Sequence, residues 1–163
     1  NNLVLELEQI AKPEEFIGID SYEDWMSKGT PREGDILMTT EAPLGYVALA
    51  PSFKFALGQR VICLKLNMNL ILPRYLLACI KSQDFQRQLF TSSTGSTVAG
   101  IKQSALLECI APLPSNYQQK KIGDLDQEIN KEIRLLQSQR KIVQQLIRGI
   151  SCDLLIGCKM VNV

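Results

Sequence analysis

The chain has 163 residues, 18 basic and 17 acidic side chains, and a formal net charge of +1. It contains no histidine, which excludes a Ser-His-Asp triad, a Cys-His pair and a histidine-ligated metal site within the chain. The near balance of charge hides an asymmetry: residues 1–35 carry nine acids and three bases, whereas residues 36–150 carry seven acids and 14 bases. The excess of basic side chains in residues 36–150 could suit a polyanionic partner, or it could reflect only an uneven distribution of surface charge.

Five cysteines are present, and none forms a CxxC pair. Cys63, Cys79 and Cys109 lie in apolar runs, which is typical of small buried thiols in a reducing cytosol. No stretch approaches the ~18 uncharged apolar residues of a membrane span, and no secretory signal is visible. We therefore expect a cytoplasmic protein without a membrane segment.

The first half of the chain alternates turn-forming stretches with short apolar runs. Residues 3–7 read as a strand, and Asp20 or Ser21 is suited to cap a short helix that runs through Trp25 and Met26. Apolar runs bounded by turn residues predict three further strands, at residues 36–40, 44–49 and 60–66.

Helical patterns follow from Pro73, which suits the first turn of a helix because its missing N–H is not needed there. The apolar spacing predicts two consecutive helices over residues 73–82 and 83–91. The hydroxyl-rich stretch TSSTGSTVAG is expected to form an ordered loop rather than a linker. A helical turn at 103–107 and a strand at 108–113 are predicted to come next.

From residue 115 onward the chain forms one long amphipathic segment without proline. Ser115 and Gln118 fit a capping box, and Gly149 offers a stop, so a helix over residues 116–148 is predicted. Such a helix would be ~50 Å long, which is too long for the preceding domain to cover its apolar stripe. Residues 151–163 are too few to return along it, so we expect it to pair with a helix in another copy or in a missing part of the chain. The expected pairing residues are Ile122, Leu125, Ile129, Leu136, Val143 and Leu146.

Several signatures of catalysis are missing from the sequence. A methyltransferase would need a glycine-rich cofactor loop, and an adenine amino-methyltransferase also an Asn/Asp-Pro-Pro-aromatic loop; the chain has neither. Gly95 and Gly100 form a GxxxxG that lacks the lysine of a phosphate-binding loop. Glu33 and Asp35 are better explained as turn residues than as a nuclease centre. The sequence argues against an independent enzyme, and we expect no metal and no cofactor in the chain itself.

Six stretches form a distinctive series when they are taken in order. They are EGDILMTTEAPLGYVAL (33–49), ALGQRVICLKL (56–66), LPRYLLACIKSQDFQRQL (72–89), TGSTVAGI (94–101), IAPLPSNYQQKKI (110–122) and DLLIGCKMVNV (153–163). No single stretch is specific, but their order and spacing together are. Over most of its length the chain resembles the DNA-specificity (S) subunit of type I restriction–modification systems.

The sequence departs from this family pattern in three places. Gln118 replaces the glutamate of a usual Glu-Gln pair, Cys158 displaces a usual lysine, and the start of a target-recognition domain is absent or altered before residue 10. A full S subunit of the family has two target-recognition domains and two long helices, whereas this chain has one of each. We expect a C-terminal half of such a subunit, or a half-size subunit that dimerises.

The resemblance implies an α+β fold in which a small mixed-sheet target-recognition domain (1–114) precedes a long helix (115–150) that forms an antiparallel coiled coil. Residues 151–163 would be a tail packed near the recognition domain. The domain would read one half of a bipartite site in the major groove of double-stranded DNA, and the helix would set the half-site spacing. Modification (methyltransferase) subunits would dock, bind S-adenosylmethionine and methylate a flipped adenine, and restriction subunits would join the complex.

Residue type and position then select nine candidate DNA contacts. They are polar side chains beside the predicted strands or in the hydroxyl-rich loop, where they could meet base edges or phosphates. The candidates are Thr39, Thr40, Glu41, Tyr46, Gln59, Arg60, Ser96, Thr97 and Lys102. For each of them an ordinary surface position is the alternative.

Two other functions stay open on the sequence. One is a dimerisation or scaffold protein with a coiled-coil tail and no DNA partner. The other is an enzyme in its own right, which the missing cofactor loop disfavours. DNA binding that weakens with salt would favour the recognition subunit, and methyl transfer by the isolated chain would favour the enzyme.

Overall fold

The computed structural model describes residues 16–94 and 99–156, with side chains described as far as residue 150. The chain divides into two compact units, Asn1–Gln127 and Glu128–Val163. The strand predicted at residues 3–7 lies outside the described residues. So do Ser96, Thr97 and the side chains of the predicted C-terminal tail.

A three-stranded sheet forms the centre of the first unit. Its strands are β1 (Ile36–Thr39), β2 (Val47–Leu49) and β3 (Val61–Leu64), in the spatial order β2-β1-β3. Ile36 on the central strand pairs with Leu49 on one side and with Leu64 on the other. Both pairings are antiparallel, so the prediction of a mixed sheet is wrong for the described strands.

The three predicted strands are confirmed in position, although each is shorter than expected because its ends enter turns. The strand predicted at 108–113 is wrong, since residues 109–115 join no sheet. Pro112 and Pro114 have no N–H to donate to a ladder. The backbone of Ile110 instead bonds to the side-chain amide of Gln88, whose Oε1 accepts from Ile110 N at 2.9 Å and whose Nε2 donates to Ile110 O at 3.1 Å.

Four short helices are described in the first unit besides the long one. A 3-10 turn (Ile19–Ser21) leads into α1 (Tyr22–Trp25), and α2 (Pro73–Lys81), α3 (Gln83–Thr91) and α4 (Gln103–Leu106) follow. The two consecutive helices are confirmed: α2 begins at Pro73, and Ser82 Oγ caps α3 by accepting from Phe85 N at 3.3 Å. The predicted side-chain cap of α1 is wrong, because Ser21 precedes that helix without such a bond.

The core of the first unit lies where the sheet meets α2 and α3. Its buried side chains are Ile36, Met38, Leu44, Val47, Leu77, Ile80, Phe85, Leu89, Ile101 and Leu106. The connection between β1 and β2 packs closely on α3 at Gly45, whose φ is +81°. A Cβ there would lie 2.9 Å from Gln86 Oε1 and 3.0 Å from Leu89 Cδ1, so both the conformation and the space require glycine.

The long helix α5 runs over Asn116–Ile156 and belongs to the first unit as far as Gln127. Its predicted capping box is confirmed: Ser115 Oγ accepts from Gln118 N at 3.4 Å, and Gln118 Oε1 accepts from Ser115 N at 3.2 Å. The stop predicted at Gly149 is wrong, because the helix continues through it. A single glycine lowers helix stability by about 1 kcal/mol, which does not end a helix that lacks proline.

Candidate nucleic-acid interface

The end of β1 is joined to the segment before α4 by backbone hydrogen bonds. Ile101 N donates to Thr40 O at 3.0 Å, and Thr94 and Gly100 exchange two backbone bonds of 2.8 and 3.1 Å. Glu41 forms an isolated antiparallel bridge with Gly100. These bonds bring together two parts of the chain that are about sixty residues apart.

A cleft of about 210 Å³ opens at this junction, and we call it the β1 cleft. Thr40 and Glu41 line it from the end of β1, and Thr94, Gly100, Ile101 and Lys102 line it from the opposite segment. Three of the nine candidate DNA contacts therefore share one surface feature. Sequence reasoning did not single out Thr94, Gly100 or Ile101 as lining residues, and the only signal for them was the composition of the loop.

Arg60, immediately before β3, is held to the same place. Its carbonyl oxygen accepts from Thr40 N at 2.8 Å and from Thr40 Oγ1 at 3.2 Å. Its side chain forms an ion pair with Glu41, in which Nε lies 2.8 Å from Oε1. The side chains of Arg60 and Glu41 are 56% and 41% exposed, so the pair faces solvent beside the β1 cleft.

Two further candidates, Thr39 and Tyr46, flank the turn between β1 and β2 and have different surroundings. Thr39 is buried, and its Oγ1 donates to Pro43 O at 2.6 Å and accepts from Tyr46 N at 3.0 Å. The hydroxyl of Thr39 thus holds the loop together, whereas the side chain of Tyr46 is exposed. Ala42, within the loop, has a φ of +45°, a left-handed conformation that is uncommon for alanine and recurs at functional sites.

The remaining candidates are at the surface or outside the described residues. Gln59 is exposed just before Arg60, and Lys102 is exposed at the N-cap position of α4. Ser96 and Thr97 belong to the undescribed part of the loop. The structure thus groups Thr40, Glu41, Arg60 and Lys102 and leaves Tyr46 and Gln59 as separate exposed side chains.

The predicted pairing residues of α5 are all exposed in this single chain. Ile122 and Leu125 lie in the first unit, and the rest lie in the second. The members of this exposed set are Ile122, Leu125, Ile129, Leu136, Val143 and Leu146. An apolar stripe of this kind is typical of a helix that pairs with another one, and the pairing itself stays a prediction.

The three cysteines whose side chains the structure describes offer no obvious nucleophile. Cys63, Cys79 and Cys109 are free and only partly buried. Burial, followed by the nearby carboxylate of Asp35, raises the pKa of Cys63 to about 12, which keeps the thiol protonated at neutral pH. Burial also raises the pKa of Cys79 and of Cys109.

The described part of the chain contains neither a cluster of metal-binding side chains nor a membrane-spanning helix. No group of three His, Cys, Asp or Glu side chains in that part of the chain is arranged to hold a metal ion. None of its helices has the length and apolar character needed to cross a membrane.

Comparison with known proteins places the chain in a family. The model of the type I restriction modification DNA specificity domain matches residues 10–145. A curated relative, the type I restriction enzyme MjaIX specificity subunit of Methanocaldococcus jannaschii, is 31% identical over 115 residues. The matched region is 70% of this chain and 26% of that protein, so the chain spans about a quarter of the relative's length.

Solved structures share the fold. The HsdS subunit from Thermoanaerobacter tengcongensis matches 82% of this chain and 37% of its own, with a TM-score of 0.57 and 18% identity. The type I system S subunit from M. genitalium matches 71% of this chain and 31% of its own, with a TM-score of 0.56 and 21% identity. A chain from a structural study of complex assembly in the type I R-M system matches 97% of this chain and 43% of its own, with a TM-score of 0.66 and 16% identity. Because the family model covers most of its length, the chain belongs to the type I restriction modification DNA specificity domain family.

Proposed function

We propose that the chain reads one half of a bipartite site in double-stranded DNA, as part of a type I restriction–modification complex. The observation that carries this proposal is the grouping of Thr40, Glu41, Arg60 and Lys102 around the β1 cleft. Hydroxyl, carboxylate, guanidinium and ammonium groups together provide the donors and acceptors that distinguish base pairs in the major groove. Tyr46 and Gln59, both exposed, would extend this surface, and Ser96 and Thr97 would add hydroxyl groups from the loop.

The long helix would set the distance between two half-sites by pairing antiparallel with a second helix. Ile122, Ile129, Leu136, Val143 and Ile150 recur at intervals of seven residues along α5, which is the repeat of a coiled-coil seam. The positions three residues further along in the same repeat are apolar at both ends and polar in the middle; they are Leu125, Glu132, Gln139 and Leu146. Polar residues inside a seam favour one register over others. The second helix would belong to another copy of the chain or to a second recognition half.

The chemistry of the complex would reside in other subunits. Modification subunits would dock on this chain, bind S-adenosylmethionine and methylate the target adenine, and restriction subunits would complete the assembly. This chain would contribute recognition alone and would bind no cofactor. The family match supports this division, because the family is that of the DNA-specificity domain.

Fluorescence anisotropy with labelled duplex DNA at several salt concentrations tests the proposal. We expect binding by the full chain whose affinity falls steeply as salt rises, because phosphate contacts release counterions. Absence of binding at low salt, with the modification subunit present, would instead favour a scaffold protein that pairs through α5. Methyl transfer to DNA by the isolated chain would contradict the non-catalytic role.

A further inference from the structure

The ion pair between Glu41 and Arg60 lies beside the β1 cleft rather than in the core. Both side chains are about half exposed, and exposed ion pairs contribute little to folding stability. Folding therefore does not explain why this carboxylate and this guanidinium meet. We infer that Glu41 is a positioning residue that holds Arg60 for the recognition of a guanine; this inference rests on the proposed function.

Both partners of the pair are attached to a well-bonded backbone. The carbonyl of Arg60 accepts two hydrogen bonds from Thr40, and Glu41 is bridged to Gly100. The base of each side chain is therefore fixed before any ligand arrives. An arginine that is oriented in advance loses less conformational freedom when it makes a directional contact.

The chemistry of the pair favours a base over a phosphate. A guanidinium has five N–H donors, so a contact with Glu41 on the Nε side leaves donors for a second acceptor group. Guanine presents two acceptors, O6 and N7, to the major groove, and they match the fork of an arginine. Glu41 cancels the charge of Arg60 and repels a phosphate, while the directional donors remain.

Lys102 complements this arrangement across the β1 cleft. Within the described part of the chain, no carboxylate forms an ion pair with its ammonium group. A flexible, uncompensated cation suits a phosphate, whose recognition requires charge rather than a fixed fork. The two cations are thus assigned different ligands: Arg60 a guanine and Lys102 the backbone.

The test is selection of the full chain and its variants on a duplex library randomised over about one helical turn of ~10 base pairs. We expect the wild type to enrich guanine at one position by about 10- to 100-fold, as a bidentate contact does. Arg60→Ala should remove that preference. Arg60→Lys should do the same while it keeps the charge, because lysine lacks the fork.

The positioning role of Glu41 has a separate signature. Glu41→Gln keeps the size of the side chain but releases the charge of Arg60, so affinity for random duplex should rise while the guanine preference weakens. If Glu41 served only to stabilise the fold, its substitution would lower both the affinity for random duplex and the guanine preference. Lys102→Ala is the matched control: it should weaken binding to all sequences evenly and reduce the salt slope by about one, with the preference intact.

Two results would overturn the inference. If Arg60→Ala and Arg60→Lys bind DNA with the same base preference as the wild type, the assignment of guanine to Arg60 is wrong, although the proposed function survives. If Glu41→Gln lowers both affinity and preference, the positioning role is wrong. If the wild type binds no duplex at all, the proposed function and this inference fail together.

Discussion

Gln119 in the first turn of α5 accepts a hydrogen bond from the backbone N–H of Leu72, the residue that precedes α2, over 2.8 Å. The same side chain donates to Leu70 O and to Pro114 O, each at 3.0 Å, and is almost fully buried. One amide thus satisfies three backbone groups from two segments that are far apart in sequence. It ties the start of the long helix to the entrance of α2.

Replacement of Gln119 by alanine should destabilise the chain by about 2–4 kcal/mol, because it leaves three backbone groups without their hydrogen-bond partner. Urea unfolding measures this change. Gln127→Ala, at an exposed position of the same helix, is the matched control and should change stability by less than about 0.5 kcal/mol. Equal changes in the free energy of unfolding for the two substitutions would show that the three hydrogen bonds of Gln119 do not stabilise the fold.

Gly123 lies where α5 packs closely against α2. A Cβ at this position would lie 2.9 Å from Arg74 Cβ and 3.1 Å from Tyr75 N. Gly123→Ala should therefore destabilise the fold by about 1–3 kcal/mol through overpacking. Gly149→Ala should instead stabilise the helix by about 0.5–1 kcal/mol, since nothing lies within 4 Å of its Cβ position. Thermal unfolding followed by circular dichroism separates the two, and a stabilising Gly123→Ala would contradict the close contact.

The exposed stripe of α5 predicts a change of solution mass on substitution. If two copies pair through this helix, sedimentation should show about twice the 18.3 kDa of one chain. Val143→Asp should return the protein to a single copy, because a charge in the seam opposes pairing. Gln144→Asp adds the same charge at the neighbouring exposed position and should leave the mass unchanged. A wild type that stays monomeric at high concentration would rule out self-pairing.

The raised pKa of Cys63 predicts a loss of stability at alkaline pH. Its Sγ lies 3.5 Å from Asp35 Oδ2, and burial and that carboxylate raise the pKa from 9.0 to about 12. The unfolded thiol then loses its proton first, so the contribution of the neutral thiol is complete below pH 9.0 and declines as the pH rises towards 12.

Cys63→Ala should therefore lose less stability than the wild type between about pH 8 and about pH 11. Urea unfolding of both proteins in the same buffers measures the difference, because titration of the other groups is common to both. Parallel curves of stability against pH would contradict the raised pKa.

The sequence predicted the elements whose signals are local. Pro73 placed the start of α2, and Ser115 with Gln118 placed the start of α5, because each cap depends on residues within one turn. It failed at residues 108–113, where an apolar run between prolines looked like a strand. The backbone of that segment bonds to the side chain of Gln88, which is 22 residues from Ile110 along the chain. No local sequence pattern predicts such a contact.

The sequence predicted which residue types form the candidate interface, but it did not predict which of those residues lie together. Thr40, Glu41, Arg60 and Lys102 were selected because they are polar groups near strand ends and loops. That they meet depends on the pairing of β1 with β3 and on the bond from Ile101 to Thr40. Thr39, selected by the same criterion, is the buried last residue of β1, and its hydroxyl bonds to the backbone of the turn that follows.

By itself the sequence determined most of the secondary-structure elements, the apolar stripe of the long helix and the resemblance to DNA-specificity subunits, since all three depend on the order and spacing of residues along the chain. Only the tertiary structure decided that Glu41 faces Arg60, that Gln119 bridges Leu70 and Pro114, and that Gly123 is pressed against α2. Apart from the local bond between Gln119 and Pro114, these contacts join residues between 19 and 49 positions apart. Their geometry follows from packing and strand register, and neither composition nor periodicity carries that information.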